Sequence, residues 1–591
     1  MKIRITALLI MAAMLLSLGA ACGGQQGAQT TAAAQTTAAA TTAATTAAAA
    51  KAAETTAAKA EATTAATTAA PKTTAATTAA AAATTAAKAA DAVQPGAVPA
   101  IISSIDPKYA EFKYVLPGGI DISKEVALTM YVLGDMPSDL DLVYGEVNKT
   151  LKDVLNATVT CKYLSWGEWS EKYSLILASG EDVDLMFTAD WARYSTESAK
   201  GAFYELTDDF VQKYMPNMLK TQDPVALKQA TINGKLYAIP KNTAGLEGEN
   251  WVMIRKDLAD KYGMSNIDSI EKLEEYFLAV LENESGILPY AASQGGGFGS
   301  TAWRQPQRLT YLTNIDWCYQ SRGTTDAPDF SEITYAYFRD DAMPYYELMR
   351  KWEELGFWSK NAISNKDQTR DSFENGKSAS LTWNATIFAA GRNLRKNNPD
   401  WDFMALDINP GTPRRQALYT NDAIAIADAS ANPERAAMFI DLVKSDIDFY
   451  YQICGGIKDK HYIIDQDGKR DLGPDSDKYP WTPSLWCFNW NDKNIPRYAA
   501  ALAEEVAFIE EQAKYIFAPD ITAFRFDIEP IKNEMAAVNA LRDEYRPMLE
   551  LGMNADIAKT VAEWKQKAEA AGLNAIHSEL ERQYNAWKST L

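Results

Sequence analysis

The period of the apolar positions changes four times between residues 125 and 187. EVALTMYVL (125–133) is almost continuously apolar and predicts a strand. Val143, Val147, Leu151 and Val154 then recur at helical spacing, and ATVTCKYL (157–164) returns to a strand pattern. EWSEKYSLILASG (168–180) predicts a helix closed by Gly180, and VDLMF (183–187) predicts a third strand. Strands and helices alternating over such short links imply an α/β fold with a parallel, doubly wound sheet. Parallel strands are covered on both faces, so ligands of such sheets bind beyond the carboxyl ends of the strands. The third strand breaks off into Thr188, Ala189, Asp190 and Trp191, which places a carboxylate and an indole at the mouth of a crevice.

Farther on, TINGKLYAIPKN (231–242) predicts a hairpin turning at Asn233-Gly234 and a strand stopped by Pro240. Asp467-Gly468 predicts a second hairpin turn. Near the end of the chain Ile557, Val561, Trp564, Leu573, Ile576, Leu580, Tyr584 and Trp587 recur as a helical face, which predicts core packing.

The first hundred residues are a different material, and every Trp lies at or beyond residue 166. Lys2 and Arg4 precede a short apolar run and then small residues up to Cys22, the pattern of a secretory signal (1–21). The cysteine after small residues resembles the bacterial lipoprotein signal, which implies that Cys22 carries diacylglycerol and palmitate. Gly19 stands where that signal prefers an aliphatic residue, and Gly19 with Ala21 also suits ordinary cleavage. Residues 22–92 are dominated by Ala and Thr with nothing to form a core, so a solvated tether is expected, spanning on the order of 45 Å. The remaining body, 93–591, is long enough for more than one core. No later stretch approaches the ~20 apolar residues of a membrane span.

Charge and residue counts exclude several functions. With 77 acidic against 58 basic side chains the formal charge is −19, which disfavours nucleic acid as a partner. Only His461 and His577 are present, little material for a zinc site or a serine triad. Asp465, Asp467 and Asp471 lack the glycine and terminal glutamate of a calcium loop at the right places. Cys161, Cys318, Cys454 and Cys487 form no C-x-x-C pair, and no phosphate-binding G-x-x-x-x-G-K-[ST] loop occurs. No metal and no cofactor are expected, and any ATPase belongs to another chain.

INGKLYAIP resembles the signature of extracellular solute-binding lipoproteins serving carbohydrate ABC importers. The likeness continues in order through FTADWARY with GAFYELTDDF, VMIRKDLADKYGM, ANPERAAMFIDLV and GGIKDKHYIIDQDGK, covering roughly residues 120–590. FRFDIEPIKNEMAAVNALRDEYRPMLELGM and AGLNAIHSELERQYNAWK resemble an extra helical C-terminal region found in one subset. The resemblance implies a two-lobed, type II venus-flytrap binding protein. Lobe I is expected over about 100–240 and 415–475, and lobe II over about 245–412 and 480–591. It also implies a monomer, lipid-anchored on the extracellular face of the cell membrane, that hands a sugar to membrane permease subunits.

A pyranose offers an apolar face for aromatic rings and a belt of hydroxyls for paired polar groups. Loops pairing those residue types are the candidate ligand contacts: Asp190 with Trp191, Trp303 with Arg304, Trp383 with Asn384, and Tyr419 with Asn421 and Asp422. Asn242 and Thr243 join them, because they follow the signature strand where the chain crosses between lobes. Trp166, Trp251 and Trp303 fit a stacking platform and a core edge equally well. YPWTPSLWCFNW (479–490) departs from the related lipoproteins, which have Gly-Asn after the aromatic residue, and this leaves the roles of Trp486 and Trp490 open. Two other readings compete: a binder of peptide or another polar solute, and a surface glycoside hydrolase using two carboxylates.

Overall fold

The computed structural model describes residues 113–590 apart from 244–249, 294–296, 313–314, 366–368, 465–469, 483, 491–502, 520 and 522–523. The signal segment, Cys22, the tether and the Asp467-Gly468 turn lie outside the described residues. The chain divides into two units, residues 1–90 and 91–591, and every described residue belongs to the second.

The predicted opening elements form where the apolar periods change. They are β1 (Val126–Leu133), α1 (Leu140–Leu155), β2 (Ala157–Leu164), α2 (Trp169–Ser179) and β3 (Leu185–Thr188). Asn156 and Gly180 end α1 and α2 in the left-handed conformation, a common helix stop. The hairpin turns at Asn233 (φ 50°) and Gly234 (φ 79°) as the Asn-Gly pair predicts. The chain then forms β4 (Ala238–Pro240), runs through β5 (Trp251–Arg255), β6 (Ser380–Trp383) and β7 (Phe403–Leu406), and comes back as β8 (Ala423–Ile426).

The first sheet has the order β2-β1-β3-β8-β4. The β1–β2 and β1–β3 pairs are parallel as expected, but β8 runs antiparallel to both β3 and β4, so the sheet is mixed. The reason lies in the route of the chain. It arrives from the other core at the carboxyl end of β3, where Ala423 pairs with Thr188, and can only run away from that edge.

A second sheet, β6-β5-β7, is antiparallel throughout. Its central strand has apolar residues on both faces. Val252 and Ile254 enter one core, while Trp251 and Met253 enter a smaller one with Phe373 and Phe388. The larger core also receives the C-terminal helices α3 (Lys532–Glu550), α4 (Ile557–Ala570) and α5 (Leu573–Lys588). Trp564 is fully buried and stacks on Tyr545 at 5.7 Å, in line with the core packing read from its helical spacing.

One boundary is corrected. Residues 480–490 were expected with the second lobe, yet Leu485, Cys487, Phe488 and Trp490 are buried in the first core. The apolar demand of that segment is met there, and Trp490 donates to the Val443 carbonyl at 3.0 Å. His461 serves the same region: its Nδ1 accepts from the Ile457 amide at 2.9 Å, and its Nε2 lies 3.2 Å from Asp139.

Where β4 leaves the first core, Lys444 donates to the Pro240 carbonyl at 2.6 Å. Burial pulls the pKa of this ammonium down to about 7. An unfolded lysine titrates near 10.4, so between pH 7 and about 10 the unfolded chain holds the extra proton. Stability therefore rises with pH through that window, by at most about 1.4 kcal/mol per pH unit from this residue. Lys444→Met removes the titration, and Gln222 still donates to Pro240 at 3.2 Å. Urea unfolding between pH 6 and 10 is expected to show a flatter profile for the variant, and an unchanged slope refutes the assignment.

Candidate functional site at the sheet mouth

Four indoles collect at the carboxyl ends of the parallel strands. Trp166 follows β2, Trp191 follows β3, Trp169 opens α2, and Trp486 comes from the 480–490 segment. Trp166 stands 6.1 Å from both Trp191 and Trp486, stacked on the latter, and Trp169 meets Trp191 edge-on at 5.8 Å. Trp166 and Trp191 remain 38% and 39% exposed, unlike core tryptophans. Gly134 makes the arrangement possible. It ends β1 at φ 126°, and a Cβ there would lie 2.1 Å from Ser484 Oγ, so only glycine lets that segment close over the strand end.

The antiparallel return of β8 brings residues 419–422 against 190–191. The Asp190 amide donates to the Thr420 carbonyl at 2.9 Å, and Trp191 Nε1 donates to the Asn421 carbonyl at 2.7 Å. Asp190 Oδ2 accepts from the Thr420 hydroxyl and lies 3.6 Å from Arg525 Nη2, whereas Oδ1 is buried without a hydrogen-bond partner. Asp422 pairs with Lys241 at 2.6 Å, and burial raises its pKa against the opposing pull of that ammonium. Tyr419 donates to Asp223 at 2.7 Å, and burial raises the tyrosine's pKa, helped by that carboxylate. Two concavities of about 290 and 400 Å³ on the same lobe are lined by other residues, Arg435 and Asn432 in one and Thr150 and Gln452 in the other. The first includes Val126, at the opposite end of β1 from the indoles.

The model of the family described as bacterial extracellular solute-binding protein matches residues 147–447, just over half of the chain. The chain belongs to this family. Residues 520–589 match a second model, a domain of unknown function (DUF3502). A carbohydrate ABC transporter substrate-binding protein of Streptococcus pneumoniae is 22% identical over 480 residues, 79% of this chain and 91% of the relative. The crystal structure of the N-glycan transport solute-binding protein NgtS of S. pneumoniae with Man1GlcNAc is 18% identical, with a TM-score of 0.63 over 78% of this chain and 99% of that one. FusA, an S. pneumoniae ABC-transporter substrate-binding protein in complex with kestose, is 14% identical, with a TM-score of 0.53 over 79% and 100%. At such identities these likenesses show the fold, which is the two-lobed fold of solute-binding proteins with an added helical C-terminal region.

A stacking platform at the mouth needs an accessible face, and the remaining tryptophan candidates divide on that ground. Trp383 ends β6 and is 55% exposed, opposite the buried Trp251 of β5. Asn384 accepts from the Thr386 amide and hydroxyl at 3.0 and 2.8 Å, and so holds the start of the next helix. Thr243 is half-buried beside undescribed residues. Trp303 is a core side chain and not a platform: it is 2% exposed, stacked on Tyr345 at 5.8 Å, and donates to Asp341 at 3.0 Å. Arg304 lies over the Tyr311 ring at 5.6 Å. Sequence reasoning did not single out Trp169, Thr420, Lys241, Asp223 or Arg525. Their partners are distant in the chain, and only pairing in space reveals them.

Asn242 is likewise absorbed by structure. Its Nδ2 donates to the Thr221 carbonyl and its Oδ1 accepts from the Asp223 amide, both at 2.7 Å, while its own amide bonds the Asn489 carbonyl. Asn242→Ala leaves two main-chain groups without these partners, at about 1–3 kcal/mol for each one that stays dry. Urea titration is expected to show a loss of that order. An unchanged midpoint means that the amide does not hold the crossing segment.

Proposed function

We propose that this protein is the substrate-binding subunit of an ABC importer, capturing a sugar or oligosaccharide between two lobes and delivering it to a membrane permease. The observation that carries this reading is the set of half-exposed indoles beside hydrogen-bonded carboxylates at the sheet mouth. Stacking on pyranose faces needs the first, and recognition of hydroxyls needs the second. The relatives named for carbohydrate or glycan transport support the same substrate class. Within this reading residues 1–21 are a signal peptide, 22–92 a tether, and 93–591 the binding body, a monomer. Lobe I takes in 480–490 in addition to its expected segments. Asp190, Trp191 and Trp383 are the foremost ligand contacts. Closure of such lobes around ligand is the transition that a permease reads.

Thermal shift against a panel containing kestose, Man1GlcNAc, Man5GlcNAc and unrelated peptides tests the substrate class. A ligand at 100 times its dissociation constant adds about 2.7 kcal/mol of stability. Stabilisation by peptides alone replaces the sugar reading with a peptide binder. Turnover of a bound glycan that vanishes on changing one carboxylate replaces it with a hydrolase.

On the glycan that binds, Trp191→Ala is expected to cost on the order of 1 kcal/mol of affinity beyond area burial. Asp190→Ala is expected to cost roughly 1.5–3 kcal/mol. Calorimetric titration measures both, and lowered melting temperatures with unchanged affinity assign the two residues to the core.

Anchoring follows from Cys22, which in this reading carries the lipid at the outer face of the membrane. Cys22→Ser is expected to release the protein into the medium. Wild-type protein found free with an unmodified amino terminus refutes the anchor.

A further inference from the structure

The C-terminal region that matches a domain of unknown function sends one side chain into the first lobe. Phe524 and Phe526 are buried in the second core, Phe524 against Tyr584 and Trp587 of α5 at 5.4 and 5.5 Å. Arg525, between them, leaves by the other side. Its Nη2 donates to the Gln229 carbonyl at 3.1 Å and the Thr420 hydroxyl at 3.0 Å, and lies 3.6 Å from Asp190 Oδ2. The three partners come from three separate segments of the first lobe. The arginine and aspartate side chains are 14% and 7% exposed, so solvent and salt screen this pair far less than a surface ion pair.

The contact leaves Asp190 in a particular state. Thr420 donates to Oδ2 and Arg525 lies 3.6 Å from it, while Oδ1 is buried without a hydrogen-bond partner. A buried carboxylate oxygen without a donor is unfavourable, and a ligand hydroxyl relieves it. We propose that Arg525 makes the C-terminal region a working part of the ligand site: it positions the Asp190 carboxylate so that Oδ1 accepts from the bound ligand. Ligand affinity and docking of the C-terminal region on the first lobe are then coupled, each strengthening the other by the same factor. This inference rests on the solute-binding reading above only for the nature of the ligand.

The test uses the full-length chain as wild type, Arg525→Ala, Arg525→Lys, Asp190→Asn and the Arg525→Ala/Asp190→Asn double variant. Hydrogen exchange without ligand is measured at residues 524–528. Asp190→Asn is expected to raise exchange there by about tenfold, because half of the clamp is gone. Unchanged exchange overturns the proposal, whether or not a glycan has been found. Titration with the panel glycan that binds tightest supplies the second readout. Arg525→Ala is expected to weaken binding by about tenfold or more, with partial rescue by lysine, whose ammonium lacks the planar fork. In the Asp190→Asn background the same change is expected to cost less than about threefold, since the two side chains act as one unit. Equal losses in both backgrounds, or no loss in either, leave Arg525 a structural strut and overturn the positioning role. A wild-type protein that binds no panel glycan sinks the sugar reading, while the exchange experiment still decides the clamp.

Discussion

The rest of the site depends on the pairing of β8 with β3. Ala423 sits opposite Thr188, so the residue pairs just before and just after them meet at the same edge. That register places Thr420 on the Asp190 main chain and Asn421 under the Trp191 indole. A shift of one residue would turn every side chain of β8 to the other face and break both contacts. Because all four residues of β8 are fully buried, such a slip would also exchange its Ala and Ile positions between two packed faces, leaving a void on one side and crowding the other, and the core enforces the register that the site needs.

Around this seam, glycine and tryptophan divide the labour. Gly134 gives up its side chain so that the 480–490 segment can approach the end of β1. That segment anchors itself with Leu485, Phe488 and Trp490 in the first core and leaves Trp486 free to stack on Trp166. The platform is thus held from below by core packing and from the side by strand ends. Indoles packed in this way have less freedom to lose on binding than unpacked side chains, which limits the entropy cost.

The legible parts of the chain are those where local pattern and burial coincide. The strands and helices of 125–188 could be read because each change of apolar period marks a change of element. The Asn233-Gly234 hairpin could be read because its φ values demand those residues. The helical face around Trp564 was equally plain. Tryptophans beside polar residues were not separable in this way, since the local string is the same whether the indole ends a strand or enters a core. Trp191 and Trp303 illustrate this: one is half-exposed at the sheet mouth and the other stacks inside a core. The direction of β8 was hidden because it depends on the route between lobes. Arg525 was hidden because the first-lobe groups it reaches lie 105 residues or more away in the chain.

The charges at the mouth bear on what such a site can hold. The protein carries a formal charge of −19, yet the carboxylates gathered here do not stand as a bare negative field. Asp190 faces Arg525, Asp422 is paired with Lys241, and Asp223 accepts from the Tyr419 hydroxyl and is held at the turn by Asn242. With two of the three carboxylates facing cations, the group adds less net potential than three free carboxylates would. What they retain is directional hydrogen-bonding capacity, above all at Asp190 Oδ1. Directional acceptors without a strong net field, set beside flat apolar faces, match a neutral polyhydroxylated ligand better than an ionic one. The protein's negative charge then acts on solubility and encounter rather than on recognition at the sheet mouth.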